Sequence, residues 1–166
     1  MDGRCWLSRW FSFVKGITLT FADDMRTVFL LLSLSTLLSA QAQVEPDPEK
    51  AFREARQSGK QVLLVFAGSD WCLPCIRFEK NILTDSAFRH FAGERFVILE
   101  ADFPQKKKIP QPLKTQYEEL AAQFNAEGSF PKILLLTAER SQVAVLPYNG
   151  QSPVDFIRQM KTSLKP

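Results

Sequence analysis

Cys72 and Cys75 are the residues most able to carry chemistry, and they stand two residues apart in the stretch SDWCLPCIRF. Such a pair can bind a metal, form a structural disulfide or act as a redox centre. A structural zinc site needs about four ligands, and residues 43–166 offer no second cysteine pair and only His90 as a histidine. A disulfide across so short a loop removes little entropy from the unfolded chain. The pair is therefore interpreted as a redox centre that holds no metal.

The elements around the pair position the first cysteine at the start of a helix. Residues Gln61 to Ala67 form a short unbroken apolar run, which predicts a buried strand. After the pair, apolar residues from Cys75 through Phe78 to Ile82 keep helical spacing. Unpaired N–H groups and the helix dipole at that end stabilise a thiolate, so we predict Cys72 as the nucleophile. Cys75, one turn further on, is predicted to attack the mixed disulfide and release the substrate.

The rest of the chain predicts an α/β domain. Helical patterns bounded by residues such as Gly59, Asp85 and Ser152 alternate with apolar runs. Helices are expected over 45–60, 75–82, 86–92, 113–124 and from 153 onward, and strands over 61–67, 96–101, 132–137 and 142–148. This order calls for a central mixed sheet with helices on both faces, in which a parallel portion is followed by an antiparallel hairpin.

The first 42 residues are interpreted as a leader that ends in a secretory signal peptide. Arg26 precedes an apolar core from Val28 to Leu38, and small residues allow cleavage after Ala42. The core is shorter than the stretch of about 20 residues that spans a bilayer, and an uncleaved membrane anchor is the alternative. Two aspartates just before Met25 do not fit a basic leader, so Met25 is an alternative start.

Localisation and composition limit the class of partner. Export would place the domain, residues 43–166, in the periplasm or otherwise outside the cytosol, where a disulfide persists. The 21 basic and 18 acidic residues give a net charge of +3 and are dispersed, which argues against a nucleic-acid partner. The run Lys106 to Lys108 is interpreted as a solvated loop. We expect a monomer that needs no cofactor.

Two motifs together resemble the thioredoxin family. One is W-C-x-P-C directly after an apolar strand, with Trp71 and Pro74 beside the cysteines, and the other is Phe130-Pro131 before a later strand. The resemblance extends over roughly residues 48–164 and includes the exported thioredoxin-like proteins of bacterial envelopes. It implies a thioredoxin-like three-layer sandwich with Pro131 as a cis-proline opposite the cysteines. It also implies that Trp71, Pro74, Phe130 and Pro131 bind the substrate, with the backbone of Phe130 pairing to a substrate strand.

Two departures separate this sequence from thioredoxin. Thioredoxins carry a buried aspartate in the first core strand that assists proton transfer from the resolving cysteine, and its place here falls on Val65 or Phe66, depending on the alignment. Leu73 stands where thioredoxin has glycine. Asp70 and Glu79 are close in sequence, but we assign both side chains to solvent because charged residues are rarely buried unpaired.

These patterns predict an exported thiol-disulfide oxidoreductase that acts on protein dithiols and disulfides. The Pro74-Cys75 ending favours a reductase, which would draw electrons from a membrane-bound donor. An oxidase or an isomerase uses the same chemistry, and related pairs differ in potential by about 100 mV or more. A non-catalytic peptide-binding module on the same fold is a further alternative, and the retained motif residues argue against it.

Overall fold

A computed structural model describes residues 42–164, so the predicted leader lies outside the described residues except for Ala42. The strands are β1 (Val44–Glu45), β2 (Gln61–Ala67), β3 (Phe96–Asp102), β4 (Lys132–Leu136) and β5 (Gln142–Val145). The helices are α1 (Pro48–Ser58), α2 (Leu73–Phe78), α3 (Ser86–Arg95), α4 (Gln111–Phe124) and α5 (Pro153–Ser163). A π-helical turn, Glu79–Leu83, continues α2. The predicted α/β class is confirmed.

The five strands form one mixed sheet in the order β1-β3-β2-β4-β5. Strand β3 runs parallel to both β1 and β2, whereas β4 runs antiparallel to β2 and β5 antiparallel to β4. The predicted parallel portion followed by an antiparallel hairpin is confirmed. Strand β1 was not predicted, because two residues at a sheet edge are too few to show a periodic pattern.

Helices cover both faces of the sheet, which explains why β2 is an unbroken apolar run. The face that packs against α2, α3 and α5, called the cysteine face, includes the strand residues Leu63, Val65, Ile98, Ile133 and Leu135. The face that packs against α1 and α4, called the opposite face, includes Val62, Leu64, Phe66, Leu99 and Leu134. Each face is a separate cluster of buried side chains, so the domain has the expected three layers.

Helix ends follow the local signals in the sequence. The carboxylate of Asp47 accepts the N–H of Lys50 at the start of α1, and Gly59 ends this helix with a φ of 67°. Asp85 and Ser152 cap α3 and α5 in the same way. All three predicted boundary residues therefore have the expected function, because glycine adopts the left-handed backbone without strain and Asp and Ser satisfy free N–H groups.

Several element ends differ from the prediction by a few residues, among them both ends of α1, which spans Pro48–Ser58 instead of 45–60. Helix α4 begins at Gln111 instead of residue 113, since Pro112 fits the first turn of a helix, where its missing N–H costs nothing. Helix α3 runs on to Arg95, up to the first residue of β3. Strand β5 ends at Val145 instead of residue 148, and Pro147 has no N–H to donate to a neighbouring strand.

Candidate active site

Cys72 directly precedes α2 and caps its first turn. Its backbone is extended, with φ of −90° and ψ of 97°, and its Sγ accepts a hydrogen bond from the N–H of Cys75 at 3.2 Å. The two sulfurs are joined as a disulfide, and the two Cα atoms are 5.3 Å apart. The predicted position of the pair, between a buried strand and the start of a helix, is confirmed.

Burial does not distinguish the two cysteines, since Cys72 is 5% exposed and Cys75 is 4% exposed. Position in the helix does distinguish them. The sulfur of Cys72 faces the free N–H groups of the first turn, which favour negative charge, and Cys75 contributes one of these donors. This geometry favours Cys72 as the thiolate. Attack by Cys72 and resolution by Cys75 stay predictions.

Trp71 brings the two sequence motifs together. Its ring packs edge-on against Phe130 with the ring centroids 5.3 Å apart, and 40% of the residue stays exposed. Its Nε1–H donates to the carbonyl of Phe103 at 2.8 Å, and the Phe103 ring also contacts Phe130 at 5.9 Å. A half-exposed ring that is fixed at its polar edge offers an apolar surface to a passing chain.

Leu73 and Pro74 occupy the exposed side of the turn between the cysteines. Leu73 is 66% exposed and adds apolar surface to that of Trp71. Pro74 lies in the first turn of α2, where its fixed φ suits the helix and no intrahelical hydrogen bond is lost. The disulfide is therefore nearly buried but bordered by exposed apolar groups.

Gly68 makes room for the Trp71 ring. A Cβ at position 68 would lie 2.3 Å from Cε2 of Trp71, so any other residue would displace the ring. The carbonyl of Gly68 also accepts hydrogen bonds from the N–H of Trp71 at 3.3 Å and of Cys72 at 2.9 Å. The glycine shapes the turn that carries Cys72, a function that we did not predict from the sequence.

Two carboxylates connect this turn to the end of β3 and to the loop that follows it. Asp102 accepts the N–H of Ser69 at 2.8 Å and its hydroxyl at 2.6 Å. Asp70 accepts the N–H of Gln105 at 2.9 Å and of Lys106 at 2.7 Å. The hydrogen bond from the backbone N–H of Gln105 is the main reason why the pKa of Asp70 lies below its ordinary value. Asp70 is partly exposed, as expected, but its carboxylate also fixes the exposed lysine loop beside the active-site turn.

The Phe130-Pro131 peptide bond is cis, as the resemblance implied. The preceding loop is fixed by Asn125, which is 3% exposed. Its Nδ2 donates to the carbonyl of Ser129 at 2.9 Å, and its Oδ1 accepts the N–H of Ser129 at 3.0 Å. Within residues 42–164, the N–H and the carbonyl of Phe130 bond to no other backbone group. Both are therefore available to a partner strand.

The two candidate places for the missing aspartate lie on opposite sides of the sheet. Val65 belongs to the cysteine face together with Cys75, whereas Phe66 packs on the opposite face. Because side chains alternate along a strand, a group at position 66 points away from the sulfurs. Position 65 is therefore the one that faces the chemistry.

Glu100 lies directly beside that position, paired with Val65 across β2 and β3. The residue is half-buried. The pKa of Glu100 is raised to about 7, mainly by burial and to a smaller extent by the nearby carboxylates of Glu79 and Asp102. The exposed position of Glu79 agrees with its assignment to solvent. We did not select Glu100 from the sequence, although the alternation along β3 places it on the same face as Ile98.

Among residues 42–164, no group of three or more histidine, cysteine, aspartate or glutamate side chains is arranged to hold a metal ion. His90 is exposed on α3, where its Nε2 lies 3.6 Å from Oε1 of Glu94, as expected for a surface residue. Within the same described range, no helix combines the length and the apolar character needed to cross a bilayer.

Comparison with known proteins assigns this geometry to a family. A family described as thioredoxin-like matches residues 43–138, which include both cysteines and the cis-proline. The chain belongs to the thioredoxin-like family. Its mixed sheet covered by helices is the thioredoxin-like fold, and the Cys72–Cys75 pair is the redox pair of a thiol-disulfide oxidoreductase.

Individual thioredoxin-like proteins agree with this assignment. The chain is 35% identical over 116 residues to "Disulfide bond reductase DsbH" of Chlamydia pneumoniae, which covers 70% of this chain and 69% of that protein. The fold is similar to a solved structure titled "DsbH Oxidoreductase", with a TM-score of 0.69 and 32% identity, over 78% of this chain and 88% of that one. A thioredoxin from Thermus thermophilus, 18% identical, shares the fold with a TM-score of 0.55 over 74% and 86% of the two chains.

Proposed function

We propose that this protein is an exported reductase of protein disulfides, with Cys72 as the attacking thiolate and Cys75 as the resolving thiol. The observation that carries the proposal is the sulfur of Cys72 at the start of α2, where it accepts the N–H of Cys75 at 3.2 Å. A thiolate at this position is stabilised by the same donor and by the helix dipole.

The reaction starts from the dithiol form of the protein. The Cys72 thiolate attacks one sulfur of a substrate disulfide, so that a Cys72–substrate bond forms and the other substrate sulfur leaves as a thiolate. Cys75 then loses its proton and attacks Cys72, which releases the second substrate thiolate. Two electrons pass to the substrate, and the protein is left with the Cys72–Cys75 disulfide seen in this structure.

Substrate binding is assigned to the surface around the disulfide. Trp71 and Pro74 border the sulfurs on the exposed side, and the Phe130 ring contacts the Trp71 ring, with the cis-proline Pro131 next in the chain. The free N–H and carbonyl of Phe130 can pair with an extended substrate segment, as in recognition by strand addition. This surface suits an unfolded or extended protein chain and does not require a particular side-chain sequence.

Reduction is the favoured direction because a relative at 35% identity carries the name disulfide bond reductase. A reductase needs a source of two electrons for each turnover. We propose that a membrane-bound dithiol donor supplies them after export, with the Cys72–Cys75 disulfide as its acceptor. The signal peptide and cleavage near Ala42 are part of this proposal, and so is a periplasmic or otherwise exported monomer.

The proposal is tested by insulin reduction with a chemical reductant, followed by equilibration of the Cys72–Cys75 pair with glutathione. We expect catalysed precipitation of the insulin chains and a potential close to that of thioredoxin, about −270 mV. A potential near −120 mV would indicate an oxidase and overturn the reductive direction.

Absence of any catalysed reduction in the wild-type protein would favour the peptide-binding module. For export, amino-terminal sequencing of the protein from the cell envelope should return a chain that begins near Gln43. A chain that retains Met1 or Met25 would contradict cleavage.

A further inference from the structure

The resolving step requires a proton acceptor. Cys75 attacks as a thiolate, and an ordinary cysteine with a pKa of about 8.5 is mostly protonated near neutral pH. Because Cys75 is nearly buried, at 4% exposed, bulk water has little access to its sulfur. A group of the protein on the same side of the sheet is therefore the better acceptor.

Among residues 42–164, β3 places two half-buried carboxylates on the cysteine face, Glu100 and Asp102, and Asp102 already accepts the N–H and the hydroxyl of Ser69. Glu100 pairs with Val65 across β2 and β3, and Val65 lies in the same buried cluster as Cys75. Helix α2, which carries Cys75, packs on this face, and the π-helical turn that follows it brings Glu79 towards Glu100. The residues of that buried cluster are all apolar or are the cysteines themselves.

The surroundings of Glu100 suit a base for a thiol. Its partner on β2, Val65, is apolar, and the charged groups that act on it are the carboxylates of Glu79 and Asp102. These surroundings raise the pKa of Glu100 to about 7. A base is most effective when its pKa lies near the working pH, since it is then both unprotonated and able to hold a proton.

We propose that Glu100 is the proton acceptor for Cys75 in the resolving step. The proton of the Cys75 thiol passes to the Glu100 carboxylate as the Cys75–Cys72 bond forms and the bond between Cys72 and the substrate sulfur breaks. The electron pair of the broken bond leaves with the substrate thiolate, and Glu100 later returns its proton to solvent. This inference rests on the proposed roles of the two cysteines.

The test uses a symmetrical aromatic disulfide whose released thiolate is coloured, mixed with the reduced full-length protein in a stopped-flow instrument. The first equivalent of colour reports attack by Cys72 and depends on reagent concentration. The second reports resolution by Cys75 and does not. The variant is Glu100→Gln, and the matched control is Glu119→Gln, an exposed glutamate on α4.

We expect Glu100→Gln to slow the second phase by about 100-fold near pH 7, the lower end of what a general base contributes. The deficit should shrink to within about threefold near pH 9, where the thiol ionises without help. Glu119→Gln should leave the second phase unchanged, and Glu100→Asp should restore part of the rate because it keeps a carboxylate. A merely structural defect would not produce this dependence on pH.

A second phase in Glu100→Gln that stays within about twofold of wild type near pH 7 would overturn the assignment. Slowing by Glu79→Gln instead would transfer the function to Glu79 and overturn it as well. If the wild-type protein showed no first phase, the roles assigned to the two cysteines would be wrong. The role of Glu100, which depends on them, would then be wrong as well. A normal first phase together with an unaffected second phase in Glu100→Gln would overturn only the role of Glu100 and leave the roles of the two cysteines intact.

A measurement on the wild-type protein avoids any dependence on the folding of a variant. The carboxyl carbon of Glu100, followed by NMR, should titrate with the same midpoint as the second-phase rate, at about 7. A midpoint near the ordinary value of 4.5 would overturn the proposal.

Discussion

Both faces of the central sheet bury a cluster of apolar side chains, but the faces differ in what else they contain. The opposite face joins Phe52 of α1 and Leu120 of α4 to strand residues, and all members of its buried cluster are aliphatic or aromatic. The cysteine face is built in the same way but also holds the disulfide, and Glu100 lies beside that cluster. One face of the sheet therefore serves stability alone, whereas the other combines a core with chemistry.

This difference shows why the two faces tolerate charge differently. A carboxylate on an apolar face loses its hydration without gaining a partner, which costs free energy of folding. The cysteine face accepts Glu100 at its edge, near the carboxyl ends of the strands, where Asp102 also lies. The cost is tolerated there because the group is only half-buried.

The largest effect is expected from Cys72→Ser, which should reduce disulfide exchange to the uncatalysed rate because the nucleophile is lost. Cys75→Ser should instead accumulate mixed disulfides through Cys72, since only the resolving step is absent. Mass spectrometry of trapped adducts measures both. Adducts that formed mainly on Cys75 in Cys72→Ser would reverse the two roles.

The contrast between the faces is sharpened by Val65→Asp and Phe66→Asp. Each should lower the free energy of unfolding by about 1–3 kcal/mol or more, because each places a carboxyl group among apolar side chains. Only Val65→Asp should change the pH dependence of resolution, since it sits beside Glu100 on the cysteine face. Urea unfolding and the two-phase colour assay measure these effects. An equal kinetic change in Phe66→Asp would contradict the division between the faces.

Stability should depend on pH through Glu100. Its pKa of about 7 in the folded state lies above the ordinary value of 4.5, so the folded state binds more protons between these values. Stability should therefore fall as pH rises through this window, by at most about 3 kcal/mol, and the loss is complete above it. Glu100→Gln should flatten the decline in urea unfolding. The same decline in both proteins would show that Glu100 is not its source.

A smaller effect is expected from Gly68→Ala. The added methyl group would meet the Trp71 ring, so the ring must move away from Phe130 and from the carbonyl of Phe103. Overpacking of this kind costs about 1–3 kcal/mol. We expect a shifted tryptophan fluorescence spectrum and weaker binding of extended peptides, while Cys72 keeps its reactivity. An unchanged spectrum would mean that the turn adjusts without displacing the ring.

Most elements of the fold could be predicted, because their signals are local. The apolar run of β2, the caps at Gly59, Asp85 and Ser152 and the spacing of α4 each lie within one short segment. Strand β1 and the exact end of β5 could not be predicted. A short edge strand such as β1 is defined by the strand with which it pairs, and its own sequence contains no pattern that indicates this pairing.

Part of the candidate site was also visible in the sequence. The spacing of Cys72 and Cys75 after a buried strand predicted the redox pair, and the family resemblance supplied Pro131. The contact between Trp71 and Phe130 was not visible, because 59 positions separate them and only the pairing of β2 with β4 brings their segments together. Gly68 and Asn125 were missed for the same reason, since their partners are set by the packing of loops.

The sequence by itself determined the pair of cysteines at a helix start and the order of strands and helices, because spacing and polarity act over a few residues. Tertiary structure alone decided which face of the sheet the sulfurs share. The alignment left Val65 and Phe66 as alternatives, and strand register separated them. Register also placed Glu100 next to Val65, where burial changes its acidity. Acidity of a buried group depends on its neighbours in space, and these are fixed only when the chain has folded.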